Sequence, residues 1–172
     1  MRGDTIFLID AQGGLEKIPH REYESEDLLQ RLIEKHPEIL VGDQIDQDNP
    51  PRWILIEREA GVPGREGAAD RWAVDHLLLD QNGRPTFVEV KRSSDTRLRR
   101  EVVGQMLDYA ANAMVYWPEG RIRALAADAS GGIDQLDTKL REFLSVDNAE
   151  SGETDTEAYW VSVERHLRNG EV

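Results

Sequence analysis

Trp72-Ala-Val-Asp75-His-Leu-Leu-Leu-Asp80, Gln81-Asn-Gly-Arg84 and Pro85-Thr-Phe-Val-Glu89-Val-Lys91 form the stretch that decides the fold. It predicts two strands, over 71–80 and 85–91, joined by a tight turn. Asn82-Gly83 is the strongest hairpin signal in the chain, because glycine adopts the positive φ that tight turns demand. Successive side chains on a strand point to opposite faces. Ala73, Asp75, Leu77 and Leu79 therefore share one face of the first strand, and Phe87, Glu89 and Lys91 share one face of the second. Lys91 follows Glu89 about 7 Å along the strand, on the same side. Pairing these faces gathers two carboxylates and an ammonium at a strand end.

Working outward, residues 25–36 predict an amphipathic helix. Leu28, Leu29, Leu32 and Ile33 make its apolar stripe, Ser25 can cap it, and Pro37 follows its end. On a helical wheel Glu26 falls beside Ile33, so it is the acid of this helix best aimed inward. Residues 5–10 predict a short strand turned by 11–14, 43–52 a loop, 53–59 a strand and 61–67 a flexible turn. On the other side, 97–116 is the longest helix. Leu98, Val102, Met106, Ala110 and Ala113 mark its packed side, and Glu101, Gln105, Tyr109 and Asn112 form a second stripe. Residues 121–126 read as a strand, reached by a parallel crossover over that helix. A helix follows over 133–144, then an acidic linker, then a final helix from Ala158. The organisation expected is a domain over 1–145, a linker over 146–157, and a C-terminal helix over 158–172 that reads as the start of a further, truncated segment. Helix, three strands, helix, strand, helix predicts an α/β domain with a mixed central sheet flanked by helices.

Composition narrows the function classes. Of the 172 residues, 39% are hydrophobic, and they cluster into periodic segments, so a packed core is feasible. Cysteine is absent, which removes disulfides and thiolate metal sites, and four scattered histidines do not make a zinc site. No run of the sequence is long and apolar enough to span a bilayer, which predicts a cytoplasmic protein. The net charge of −13 argues against a general nucleic-acid binder. Its distribution matters more. Between Arg84 and Arg100, six basic residues face two acidic ones, beside the carboxylates. Such a stripe is ordinarily a solvated helix face; its place next to Glu89-Val90-Lys91 favours phosphate contact.

The candidate chemistry follows from oxygen donors. Mg²⁺ prefers carboxylate, carbonyl and water oxygens. Asp75, Glu89 and the backbone carbonyl of Val90 supply such donors, with Glu26 from the first helix completing the set. A divalent ion there polarises a phosphate and acidifies a bound water. Lys91 can orient that water or offset transition-state charge. Gln105 and Tyr109, four apart on the long helix, can reach back to Lys91, to phosphate oxygens or to a base. Each feature alone has a plainer reading. Glu-x-Lys on a strand is usually surface alternation, Gln105 and Tyr109 are usually helix-surface groups, and Glu26 suits a helix first turn. His20, His36, His76 and His166 read as structural, and Trp53 and Trp72 as packing residues. Order and spacing together carry the argument.

On these residues the chain resembles the PD-(D/E)XK nuclease superfamily. Asp75, Glu89-Val90-Lys91 and the helix-borne Glu26 match its sites, and Gln105-Met-Leu-Asp-Tyr109 looks like the Gln-x-x-x-Tyr motif of its RecB-like branch. Val74 stands where the motif has proline. The resemblance spans residues 24–126. It implies a restriction-endonuclease-like αβββαβ core, dependence on Mg²⁺ or Mn²⁺, and hydrolysis of nucleic-acid phosphodiesters, DNA being favoured over RNA; a homodimer is among the assemblies it implies. The alternative is an inactive nuclease-fold module that binds nucleic acid or assembles with protein in a defence or repair system. Unrelated enzyme chemistry finds no nucleophile motif or phosphate loop here.

Overall fold

In a computed structural model, residues 6–19, 25–91, 98–145 and 155–172 are described. The long helix α2 (Leu98–Tyr116) packs on a three-stranded antiparallel sheet of order β3–β4–β5. The strands are β3 (Trp53–Pro63), β4 (Asp70–Asp80) and β5 (Pro85–Val88). A separate hairpin of β1 (Ile6–Ile9) and β2 (Leu15–Ile18) precedes them. The other helices are α1 (Glu26–Lys35), α3 (Arg121–Ser130), α4 (Ile133–Ser145) and α5 (Thr156–Asn169). Of the expected 146–157 linker, residues 146–154 lie outside the described residues, as do 92–97 of the basic stretch between Arg84 and Arg100.

The deciding hairpin forms as its sequence predicts. Leu77 pairs with Phe87 and His76 with Val88. Gly83 takes φ +81 and donates its N–H to the Asp80 carbonyl, and Asp80 Oδ1 accepts from the Asn82 and Arg84 amides. A side chain at Gly83 would also press on Val163 and the Tyr159 carbonyl of α5, 3.1–3.3 Å from its Cβ. Tyr159 returns a hydrogen bond to the Asp80 carbonyl at 2.7 Å, so α5 is bound to this turn.

Three expectations need correction. Residues 121–126 are helical, so the sheet holds no crossover strand and is antiparallel among the described residues, not mixed. The alternation Arg-Ile-Arg-Ala suggests a strand, but Ile122, Leu125 and Ala126 are the buried residues, at helical spacing. The alanines at 124, 126, 127 and 129 favour helix, and Gly120 and Gly131, both left-handed, bound it. Secondly, β3 runs on to Pro63, through the start of the expected 61–67 turn. Thirdly, β5 ends at Val88, which leaves Glu89, Val90 and Lys91 just beyond the strand.

The core joins the sheet to α2–α5. Leu77 and Leu79 meet Tyr109, Ala113 and Trp117 from the α2 side, with Ile122, Leu136, Leu140, Tyr159 and Val163 behind them. Phe87 packs edge-on against Trp117, and the Trp117 indole N–H donates to the Gly61 carbonyl at 2.9 Å. No described helix is long and apolar enough to cross a membrane.

Candidate functional site

The strict alternation expected over Ala73, Asp75, Leu77 and Leu79 does not hold throughout: Leu77 and Leu79 join the core that α2 packs, but so does Val74, while Ala73 is exposed, so the phase of β4 changes around Asp75. Asp75 Oδ2 accepts the Val90 N–H at 2.7 Å. That bond ties the segment beyond β5 to β4 where the strand ladder has ended. On the other side of β4, Arg58 pairs with His76 and Ala60 with Val74 in one register, which sets Glu59 opposite Asp75. Glu59 holds φ 53, the one left-handed non-glycine among the described residues. Such a residue stores on the order of 1 kcal/mol of backbone strain and persists only where its surroundings impose it.

Glu89 is the most enclosed member. Its side chain is 4% exposed, and Oε1 accepts from Lys91 Nζ at 2.6 Å. Oε2 is buried with no hydrogen-bond partner. Leaving a buried carboxylate oxygen unsatisfied costs more than a typical hydrogen bond contributes, so Oε2 is open to a cation or donor, as are the buried oxygens of Glu57, Asp137 and Glu164 elsewhere. Lys91 folds back onto Glu89 instead of extending along the strand. Its hydrogen bond to Glu89 is the main cause that holds the ammonium protonated above its ordinary range, against burial. The charges of Glu89, Asp75 and Glu26 act in the same direction, which brings Glu26 from α1 within electrostatic reach of the group.

Tyr109 closes the group from α2, its ring 2% exposed. Burial raises its pKa, opposed by its hydrogen bond with Gln105, while Glu89 and Asp75 raise it and Lys91 lowers it. The phenol stays neutral. Gln105 Nε2 donates to the Tyr109 hydroxyl at 2.5 Å. Gln105 therefore binds its helix neighbour, where the sequence suggested Lys91 or a phosphate. Accepting from Gln105 leaves the Tyr109 proton to serve as a donor.

The six candidate residues share one electrostatic neighbourhood: Glu89 and Lys91 are in contact, Asp75 holds the Val90 N–H, Tyr109 feels the charges of all three, Gln105 is bonded to Tyr109, and Glu26 acts on Lys91. Among the described residues, no three His, Cys, Asp or Glu side chains stand close enough to hold a metal ion as placed. What fits a hard cation is the donor chemistry, all oxygen, and the unsatisfied Glu89 Oε2. Two participants escape sequence reasoning. His76, fully buried, sets Nε2 2.9 Å from the Gln30 carbonyl of α1. Burial lowers its pKa, so the ring is neutral and Nε2–H donates. Arg58 reaches the same helix, at Gln30 Oε1 and Glu34 Oε2, both 3.0 Å. The sequence signal for His76 is a polar residue inside an apolar run, whereas Arg58, between Glu57 and Glu59, carries none. Compared with protein families, curated proteins and solved structures, the chain matches none.

Proposed function

We propose that this chain is a divalent-metal-dependent nuclease acting on DNA, with Asp75, Glu89 and Lys91 at its centre. The observation that carries the reading is the buried Glu89 carboxylate, one oxygen held by Lys91 and the other unsatisfied, next in sequence to Val90, whose N–H binds Asp75. Asp75, Glu89, the Val90 carbonyl and Glu26 are the groups that would hold Mg²⁺ or Mn²⁺. When bound, the ion supplies a polarised phosphate and a water of lowered pKa.

The chain's own residues do the rest. Lys91 stays cationic through its contact with Glu89, and so offers fixed positive charge where a phosphorane-like transition state gathers negative charge. The Val90 N–H restrains Asp75 to one rotamer, which limits reorganisation at the moment of reaction. Tyr109, neutral and oriented by Gln105, donates to a non-bridging phosphate oxygen or stacks on a base.

The test is cleavage of single- and double-stranded DNA with Mg²⁺ or Mn²⁺. Asp75→Ala and Lys91→Ala are each expected to lower the rate by about 10²-fold or more, with folding retained. Equal residual nicking by wild type and Asp75→Ala would overturn the reading. The net charge of −13 favours a second reading, a nuclease-fold module without turnover that acts in assembly. Metal binding at Asp75 and Glu89 without cleavage of any nucleic acid is its signature.

A further inference from the structure

We infer that His76 and Arg58 are positioning residues that latch α1 to the sheet and so fix Glu26 relative to Asp75; the inference rests on the nuclease reading. Glu26 is the one candidate acid that does not come from β4, β5 or the segment after them. Its placement depends on how α1 is docked, and α1 is docked poorly by apolar contact. Ile33 is its one buried residue, and Leu28 and Leu32 are each 38% exposed.

Polar contacts supply the attachment instead. His76 and Arg58 are direct partners across the β3–β4 ladder and share a face of the sheet. His76 donates to the Gln30 carbonyl, in the middle of α1. Arg58 donates to the Gln30 side chain and to Glu34, and its guanidinium lies 3.6 Å from Asp27. A guanidinium fork spread over three helix positions resists rotation of the helix, and a buried hydrogen bond to a mid-helix carbonyl resists sliding. Gln30 lies one turn after Glu26, on the same side of the helix. His76 is the residue next to Asp75 on β4. The strand segment that carries Asp75 therefore also anchors the helix bearing Glu26. His76 Nδ1 is buried without a partner, so the ring's hydrogen bonding is given to α1.

The experiment is a double-mutant cycle on the whole chain, with kcat and KM measured on a DNA duplex in Mg²⁺. His76→Leu should lower kcat about tenfold and move KM less than about twofold, because the latch acts on a reacting group and not on substrate binding. His76→Gln, whose amide can reach the same carbonyl, should recover most of the loss. In a Glu26→Gln background, His76→Leu should change kcat by less than about twofold. Equal losses in both backgrounds, or no loss in either, would overturn the inference. If the wild-type chain does not cleave, the nuclease reading fails, and the latch is then judged by amide hydrogen exchange. Amides of α1 should exchange at least about tenfold faster in His76→Leu while those of α2 do not change. Unchanged protection of α1 sinks the latch. Arg58→Met, at a partly exposed side chain, serves both assays should His76→Leu not fold.

Discussion

The two sides of the β3–β4–β5 sheet are attached to their helices by different physics. On the α2 side, Tyr109, Ala113 and Trp117 are each no more than 2% exposed and join a cluster that extends through α3, α4 and α5. On the α1 side a single buried isoleucine is supplemented by hydrogen bonds and ion pairs from His76 and Arg58. Apolar packing is non-directional but strong, and polar contacts are directional and individually weak. The site lies on the seam. Asp75, Glu89, Lys91 and Tyr109 take rigidity from the packed side, and Glu26 takes direction from the latched side.

Stability measurements probe this difference at its largest first. Trp117→Ala removes a buried indole that contacts Phe87 and hydrogen bonds to Gly61, and should cost about 3–5 kcal/mol in chemical denaturation. Ile33→Ala should cost about 2 kcal/mol, at the low end for a buried aliphatic, and act mainly by opening α1 locally. Equal losses at the two positions would mean that α1 is as firmly packed as α2.

A smaller effect is expected where α5 meets the hairpin turn. Tyr159→Phe removes the bond to the Asp80 carbonyl, which the Gly83 N–H still satisfies, so the expected cost is about 1 kcal/mol. The same residue gives a pH dependence. Burial raises the Tyr159 pKa strongly in the folded chain, with the Asp80 charge adding to it. Its contribution is therefore complete below the unfolded tyrosine value, about 10, and declines as pH rises beyond it. Wild type should lose stability more steeply than Tyr159→Phe above about pH 10; parallel curves would remove Tyr159 from the account.

Much of the packed side was legible in sequence, because periodicity reports burial. Ser25 caps α1 as its position suggests, accepting from the Leu28 N–H, and Asn82-Gly83 turns the hairpin. Residues 121–126 misled because four alternating residues are too few to separate a strand from an alanine-rich helix, and the glycines that bound α3 settle the matter only when their φ is known. The latched side was not legible. The sequence marks His76 only as structural, and its acceptor is a backbone carbonyl 46 residues away, which has no sequence signature. Arg58 likewise gained a role only through its register with His76. The contact of Lys91 with Glu89 does not follow strand alternation, because β5 ends at Val88, and that same end frees the Val90 N–H for Asp75.

The most direct measurement is calorimetric titration of Mn²⁺ into the wild-type chain, Glu89→Gln and Asp75→Asn, each shown to be folded. The account predicts a saturable site in wild type, weakened by about tenfold or more in either variant, since each removes charge from the oxygen set. Identical Mn²⁺ binding by all three chains would contradict it, because the unsatisfied Glu89 oxygen would then have no cation to receive.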